Sequence, residues 1–130
     1  MSRPDIVLWH IGTNDVRGLI PLERTLGGYS VALAAIRRRN PDVVVILAKI
    51  IPVTERNSRE IAIAVENLNA AIPGWAARNT TPRSPIHVVD MYNGFNAAWI
   101  PDGVHPDATE GSSFMADRWY GALEKVMQTR

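Results

Sequence analysis

The sequence predicts an α/β fold, with helices packed around a parallel sheet. Three short apolar stretches suit strands, three longer stretches carry apolar residues at helical spacing, and the two kinds alternate along the chain. Strand, helix, strand, helix, strand, helix is the order that βαβ units produce. At 130 residues the chain is long enough for one domain with a real core and too short for two, so residues 1–130 are read as a single unit.

The first strand is "IVLW", residues 6–9, an apolar run without alternation that suits a central strand covered on both faces. It runs into Gly12, Thr13, Asn14 and Asp15, which read by themselves as an ordinary polar turn. Leu22, Leu26, Tyr29, Leu33 and Ile36 then mark a helix with one buried stripe, weakened by Gly27 and Gly28. Arg37, Arg38 and Arg39 read as its solvated end, and Asn40-Pro41-Asp42 terminates it. The second strand is "VVVILAKIIPV", residues 43–53, with Lys49 as a snorkelling or edge residue.

Asn57 and Glu60 resemble a helix-capping pair ahead of the stripe Ile61, Val65, Leu68, Ile72, and Pro73-Gly74 is expected to stop or kink that helix. A third strand, "IHVVD" at 86–90, precedes a long loop from Met91 to Pro106. The last helix is expected to begin near Ala108 and to pack through Met115, Trp119, Ala122 and Val126. His10 and His87 read as core histidines with local hydrogen bonds, and Trp9, Trp75 and Trp119 as core or core-margin residues.

Composition narrows the function. Apolar residues at 46% and charged residues at 21% describe a globular protein rather than a disordered or membrane-spanning one. A net charge of +1 leaves no electrostatic footprint for nucleic acid. Without cysteine there are no disulfides and no thiol chemistry, and three scattered histidines do not make a metal site. No cofactor is expected. The start "MSRPDIVLW" has neither a cationic leader nor a cleavable apolar stretch, so the compartment stays open.

Asp102 and His105 sit three apart in the loop before the last helix. A carboxylate beside an imidazole fixes its tautomer and stabilises the imidazolium that forms when the ring takes a proton. Alone, the pair reads as surface hydrogen bonding or half of a metal site. Together with "GTND" after a strand, "DGVHP" before a C-terminal helix resembles two signature blocks of the SGNH, or GDSL-type, hydrolases. The resemblance extends through "PDIVLWHIGTNDV", "NPDVVVILAKIIPV", "LNAAIPGWAARN", "DMYNGF" and "PDGVHPDATEGSSFMADRWYGAL". Within that superfamily the wording is most similar to carbohydrate esterases of the acetylxylan esterase type.

The resemblance implies a three-layer α/β/α, flavodoxin-like domain with sheet order 2-1-3-4-5, of which this chain supplies the last three strands. It also implies a serine esterase acting on O-acyl, chiefly acetyl, esters of carbohydrate. His105 is then the base, Asp102 its orienter and Asn14 an oxyanion donor, with Gly12 permitting the close turn and Asp15 holding it. Trp99, shortly before Asp102, is a candidate sugar-stacking residue, although packing is the favoured reading.

The family's Gly-Asp-Ser nucleophile block has no counterpart here. Ser2, Ser30, Ser58, Ser84, Ser112 and Ser113 all lie in other settings, and Ser112 and Ser113 read as residues bonding the backbone of the last helix's first turns. Three expectations follow. The nucleophile segment lies upstream of Met1 in a longer protein, and the 130 residues alone turn over little ester. The strand at 6–11, left on an open edge, invites self-association. Secretion is the family's usual destination. The second reading is a non-catalytic remnant that binds carbohydrate or protein; a third, a flavodoxin-like phosphate binder, lacks any glycine-rich cradle.

Overall fold

A computed structural model describes residues 2–130. The elements run β1 (Ile6–Trp9), α1 (Thr13–Arg17), α2 (Leu22–Arg39), β2 (Val44–Lys49), α3 (Arg59–Asn79), β3 (Ile86–Asp90) and α4 (Glu110–Gln128), with 3-10 turns at Glu55–Asn57 and Ala97–Trp99. The sheet is parallel, in the order β1-β2-β3. Ile6 pairs with Val44 and Trp9 with Leu47, while Val45 pairs with Ile86 and Lys49 with Asp90.

Alternation along the central strand builds two cores. Val43, Val45 and Leu47 meet Tyr29 and Leu33 of α2 and Val65, Leu68 and Ile72 of α3. Val44 and Ile46 face Val126, Ala122 and Leu123 of α4. Helices therefore cover both faces, which is the three-layer α/β/α arrangement expected, and β2 is buried from Val44 to Ala48 because both layers close over it.

The outer strands lie at the edges of the sheet. β1 is an edge strand, as expected for a chain that supplies the last three strands of its sheet, and Leu8 of its apolar run stands 42% exposed. β3 is the other edge, and His87 is exposed rather than a core histidine. Exposure at Leu8 and His87 has one cause: an apolar run states that a strand prefers burial, while its place in the sheet decides whether burial is available.

Other local expectations are corrected in the same way. The GTND stretch is the helical turn α1, not an irregular loop. α2 runs through Gly27 and Gly28 because Tyr29 and Leu33 anchor it beyond them. Arg37 is not solvated: its guanidinium donates to Ser84 Oγ, Ser84 O and Asn79 O, tying the end of α2 to the end of α3. The second strand is shorter than 43–53, ending at Lys49, which lies in the central strand and stands 4.0 Å from Asp90. The N-cap of α3 is Ser58, whose Oγ accepts from the Ile61 N–H, one residue after the expected Asn57.

α3 also passes through Pro73 to Asn79, since Trp75 and Ala76 beyond the proline are buried in the core. Trp75 packs against Trp9 and Tyr29 and donates its Nε1–H to Ser30 Oγ. α4 begins at Glu110, two residues later than expected, because Asp107 Oδ1 accepts from the Thr109 and Gly111 N–H groups and organises the entry. Among the described residues no helix is long and apolar enough to cross a membrane.

Candidate active site

The residues singled out by motif gather around the carboxyl ends of the strands. Just beyond β1, Gly12 adopts φ +110°, the left-handed region that glycine enters without steric cost. A Cβ there would stand 2.7 Å from Leu68 Cδ2 and 3.0 Å from the Tyr29 hydroxyl, so the chain turns closely against the core and a larger residue would displace those side-chain ends. Tyr29 secures the approach by donating its O–H to Ile11 O at 2.7 Å, and burial pushes its phenol pKa upward.

α1 starts at this turn. Asp15 Oδ2 accepts from Thr25 Oγ1 at 2.8 Å, which pins α1 to α2. Asn14 is exposed, and its Oδ1 accepts from Arg17 Nη1 at 3.3 Å. His10, Ile11, Gly12, Thr13, Asn14 and Asp15 line a polar recess of about 290 Å³. His10 Nε2 accepts from the Ile51 N–H at 3.2 Å, and burial lowers its pKa, so it serves as a neutral acceptor joining the ends of β1 and β2. That matches the core histidine expected.

The second part lies in the loop after β3. Asp102 Oδ1 accepts from the Val104 and His105 N–H groups at 2.8 and 2.7 Å, and its Oδ2 lies 2.7 Å from His105 Nδ1. These bonds, led by the His105 backbone N–H, hold the Asp102 carboxyl well below the usual carboxylate range. An ionised carboxylate only accepts, so Nδ1 carries the proton and Nε2 is the basic, unbonded end of the ring. Side-chain exposures of 76% for His105 and 54% for Asp102 leave that nitrogen open to an incoming group.

Gly103 makes the loop possible. Its φ is +81°, and a Cβ would stand 2.7 Å from both Cα and N of Glu55. In that close approach the Thr54 and Glu55 N–H groups both donate to Gly103 O, at 2.9 and 3.2 Å. Arg17 closes the circuit with Nε and Nη2 donating to Glu55 Oε2 and Oε1 at 2.7 and 2.9 Å. Asn14 and the Asp102–His105 couple are thus linked through Arg17, Glu55 and Gly103, three residues that the sequence reading passed over. Gly103, inside "DGVH", was the one available signal; nothing local marks Arg17 and Glu55, which pair across 38 positions.

Trp99 is half-buried and packs on Phe95 and Phe114, with ring centroids 5.3 and 5.7 Å away, so packing holds it in the second face of the core. Ser112 Oγ donates to Asp107 O at 2.5 Å, the local backbone bond expected of it. A larger groove, between β3 and α4, is lined by His87, Val88, Asp117 and Lys125 among others, and by none of the candidate residues. Among the described residues no group of three or more His, Asp or Glu stands close enough to hold a metal ion.

Comparison with known proteins adds a family. The model of the GDSL-like lipase/acylhydrolase family matches residues 2–109. A carbohydrate esterase family 3 structure from Talaromyces cellulolyticus is similar at 35% identity and a TM-score of 0.88, over 99% of this chain and 61% of that one. An acetyl esterase, solved as a serine-to-alanine mutant with acetate ion, is similar at 36% identity and TM-score 0.86, over 98% of this chain and 60% of that one. A GDSL-like lipase from Bacteroides thetaiotaomicron is similar at 28% identity and TM-score 0.73, over 95% and 63%. The chain spans about three fifths of the length of these structures. Among curated proteins no sequence matches it.

Proposed function

The chain belongs to the GDSL-like lipase/acylhydrolase family, and from that premise we propose that it forms part of a serine esterase that removes acyl groups, chiefly acetyl, from carbohydrate. The carrying observation is the Asp102–His105 couple, with Nδ1 held at 2.7 Å and Nε2 open. In this reading a serine from a segment outside these 130 residues attacks the ester carbonyl. His105 Nε2 takes the hydroxyl proton and returns it to the leaving alcohol, while the ionised Asp102 stabilises the imidazolium between the two steps. Asn14 Nδ2 donates to the oxygen that becomes negative in the tetrahedral intermediate.

Similarity to a carbohydrate esterase and an acetyl esterase supports the substrate class. Trp99, half-buried in the loop before Asp102, is kept as a candidate wall for the sugar. The reading leaves the 130 residues without a nucleophile. It also leaves β1 with a free edge, which we propose to be covered by another segment or by a second copy.

Hydrolysis of 4-nitrophenyl acetate tests the site. A protein carrying an upstream Gly-Asp-Ser segment is expected to turn the ester over, His105→Ala to abolish turnover, and Asn14→Ala to lower kcat by roughly a hundredfold to a thousandfold. Unchanged turnover in His105→Ala refutes the assignment. A second reading, a binding module, gains if the chain is monodisperse by itself and captures an acetylated xylo-oligosaccharide without cleaving it.

A further inference from the structure

Two parts of the site that stand nearly ninety positions apart touch the same ion pair. Arg17 spends two donors on Glu55 and a third on Asn14 Oδ1. Glu55 in turn sends its own backbone N–H to Gly103 O, beside that of Thr54. An asparagine side chain has one accepting and one donating end, and a guanidinium can only donate. Whatever binds Arg17 must therefore be the oxygen of Asn14, which leaves its amide nitrogen turned away from Arg17 and free to donate elsewhere. The planar fork makes two parallel bonds to the Glu55 carboxylate, a geometry that lysine cannot reproduce.

We propose that the Arg17–Glu55 pair is a positioning strut for acyl transfer, resting on the esterase reading above: it fixes which end of Asn14 faces the reacting oxygen and sets the height of the Asp102–His105 loop through Gly103. Neither residue touches substrate in this role. The pair is 34% and 24% exposed, so as a contributor to stability it is minor. Its value lies in geometry, since an oxyanion donor and a base act together only when each is already in place.

The test uses the 130-residue chain and heteronuclear NMR, with Arg17→Gln, Arg17→Lys and Glu55→Gln. In all three the Thr54 and Glu55 amides are expected to exchange with solvent faster by roughly tenfold, and the two Asn14 Nδ2 proton resonances to move from their parent positions toward those of an unrestrained amide as the side chain samples both orientations. β2 amides and the denaturation midpoint are expected to stay close to those of the parent chain. Failure of Arg17→Lys to rescue, although it keeps the charge, is the signature of the fork. Unchanged Asn14 and Thr54 signals overturn the strut, as does a loss of protection spread evenly over the sheet. Should Glu55→Gln fail to fold, Arg17→Lys carries the same readouts. None of them needs turnover, so the strut and the esterase reading fail by separate measurements.

Discussion

Replacing Gly103 with alanine should disable the Asp102–His105 loop without touching either side chain. The new Cβ would lie 2.7 Å from Cα and N of Glu55, which are backbone atoms and cannot rotate away. The residue would also be held at φ +81°, where an L side chain costs about 1–2 kcal/mol. Moving the loop outward relieves the contact but breaks the bonds from the Thr54 and Glu55 N–H groups to Gly103 O, each worth a net contribution of roughly 0.5–1.5 kcal/mol. Alanine stiffens the unfolded chain and returns about 0.4–1 kcal/mol. The balance is a loss of about 1–5 kcal/mol, centred near 3. With a urea slope of roughly 1–3 kcal/mol per molar, the midpoint should fall by about 1–2 M. Urea titration reads the loss, and proton exchange at the Thr54 and Glu55 amides locates it. A midpoint within about 0.2 M of the parent, with those amides equally protected, would refute the claim that the two loops meet at a glycine-only contact.

Three further outcomes are expected. Asn69→Ala removes a side chain that accepts from the Ile50 N–H at 2.8 Å and donates to Ile50 O at 3.0 Å; with Ile50 fully buried, chemical denaturation should show a loss of about 2–4 kcal/mol, and a loss under about 1 would mean that the peptide finds other partners. Because its folded pKa is depressed, Asp102 stabilises the loop above the unfolded value near pH 4 and loses that contribution only as pH falls through the lower folded value; a carbon-13 titration of the Asp102 carboxyl with an ordinary midpoint of about 3.9 would contradict the hydrogen-bond pattern. Sedimentation should show concentration-dependent association through β1, and Leu8→Lys should weaken it, since a lysine blunts an open strand edge; association unchanged by that substitution would place the contact elsewhere.

What could be read from the sequence divides by the range of the interactions involved. The stripes Leu22 to Ile36 and Ile61 to Ile72 are local patterns, and both became helices facing the same core. Where a distant contact decides, the local rule failed. Pro73 should interrupt α3, but Trp75 beyond it is held by Trp9, Tyr29 and Ser30 from other elements. Arg37 looked solvated until Ser84 and Asn79 supplied three acceptors from the other end of α3 and the loop after it. His87 was misread because no stretch of sequence by itself states which strands lie at the edges, whereas the open edge of β1 followed from the family's strand order and not from its own apolar run.

The site was legible in the same partial way. Gly12, Asp15, Asp102 and His105 sit in short motifs, and their mutual or nearby bonds span few residues. The connection between the two motifs runs instead through Thr54 and Glu55, which follow the central strand and carry no recognisable chemistry of their own. A parallel sheet makes this arrangement natural, because every strand delivers its carboxyl end to the same side. Gly12 to Arg17 after β1, Thr54 and Glu55 after β2 and Asp102 to His105 after β3 therefore converge, although nearly ninety residues separate the first from the last. Lying between its neighbours, the loop after β2 is the one placed to hold both. It follows that the residues most easily overlooked in such a site are those on the middle strand's loop: their part is to fix the distance between the other two, and a sequence motif records chemistry more readily than distance.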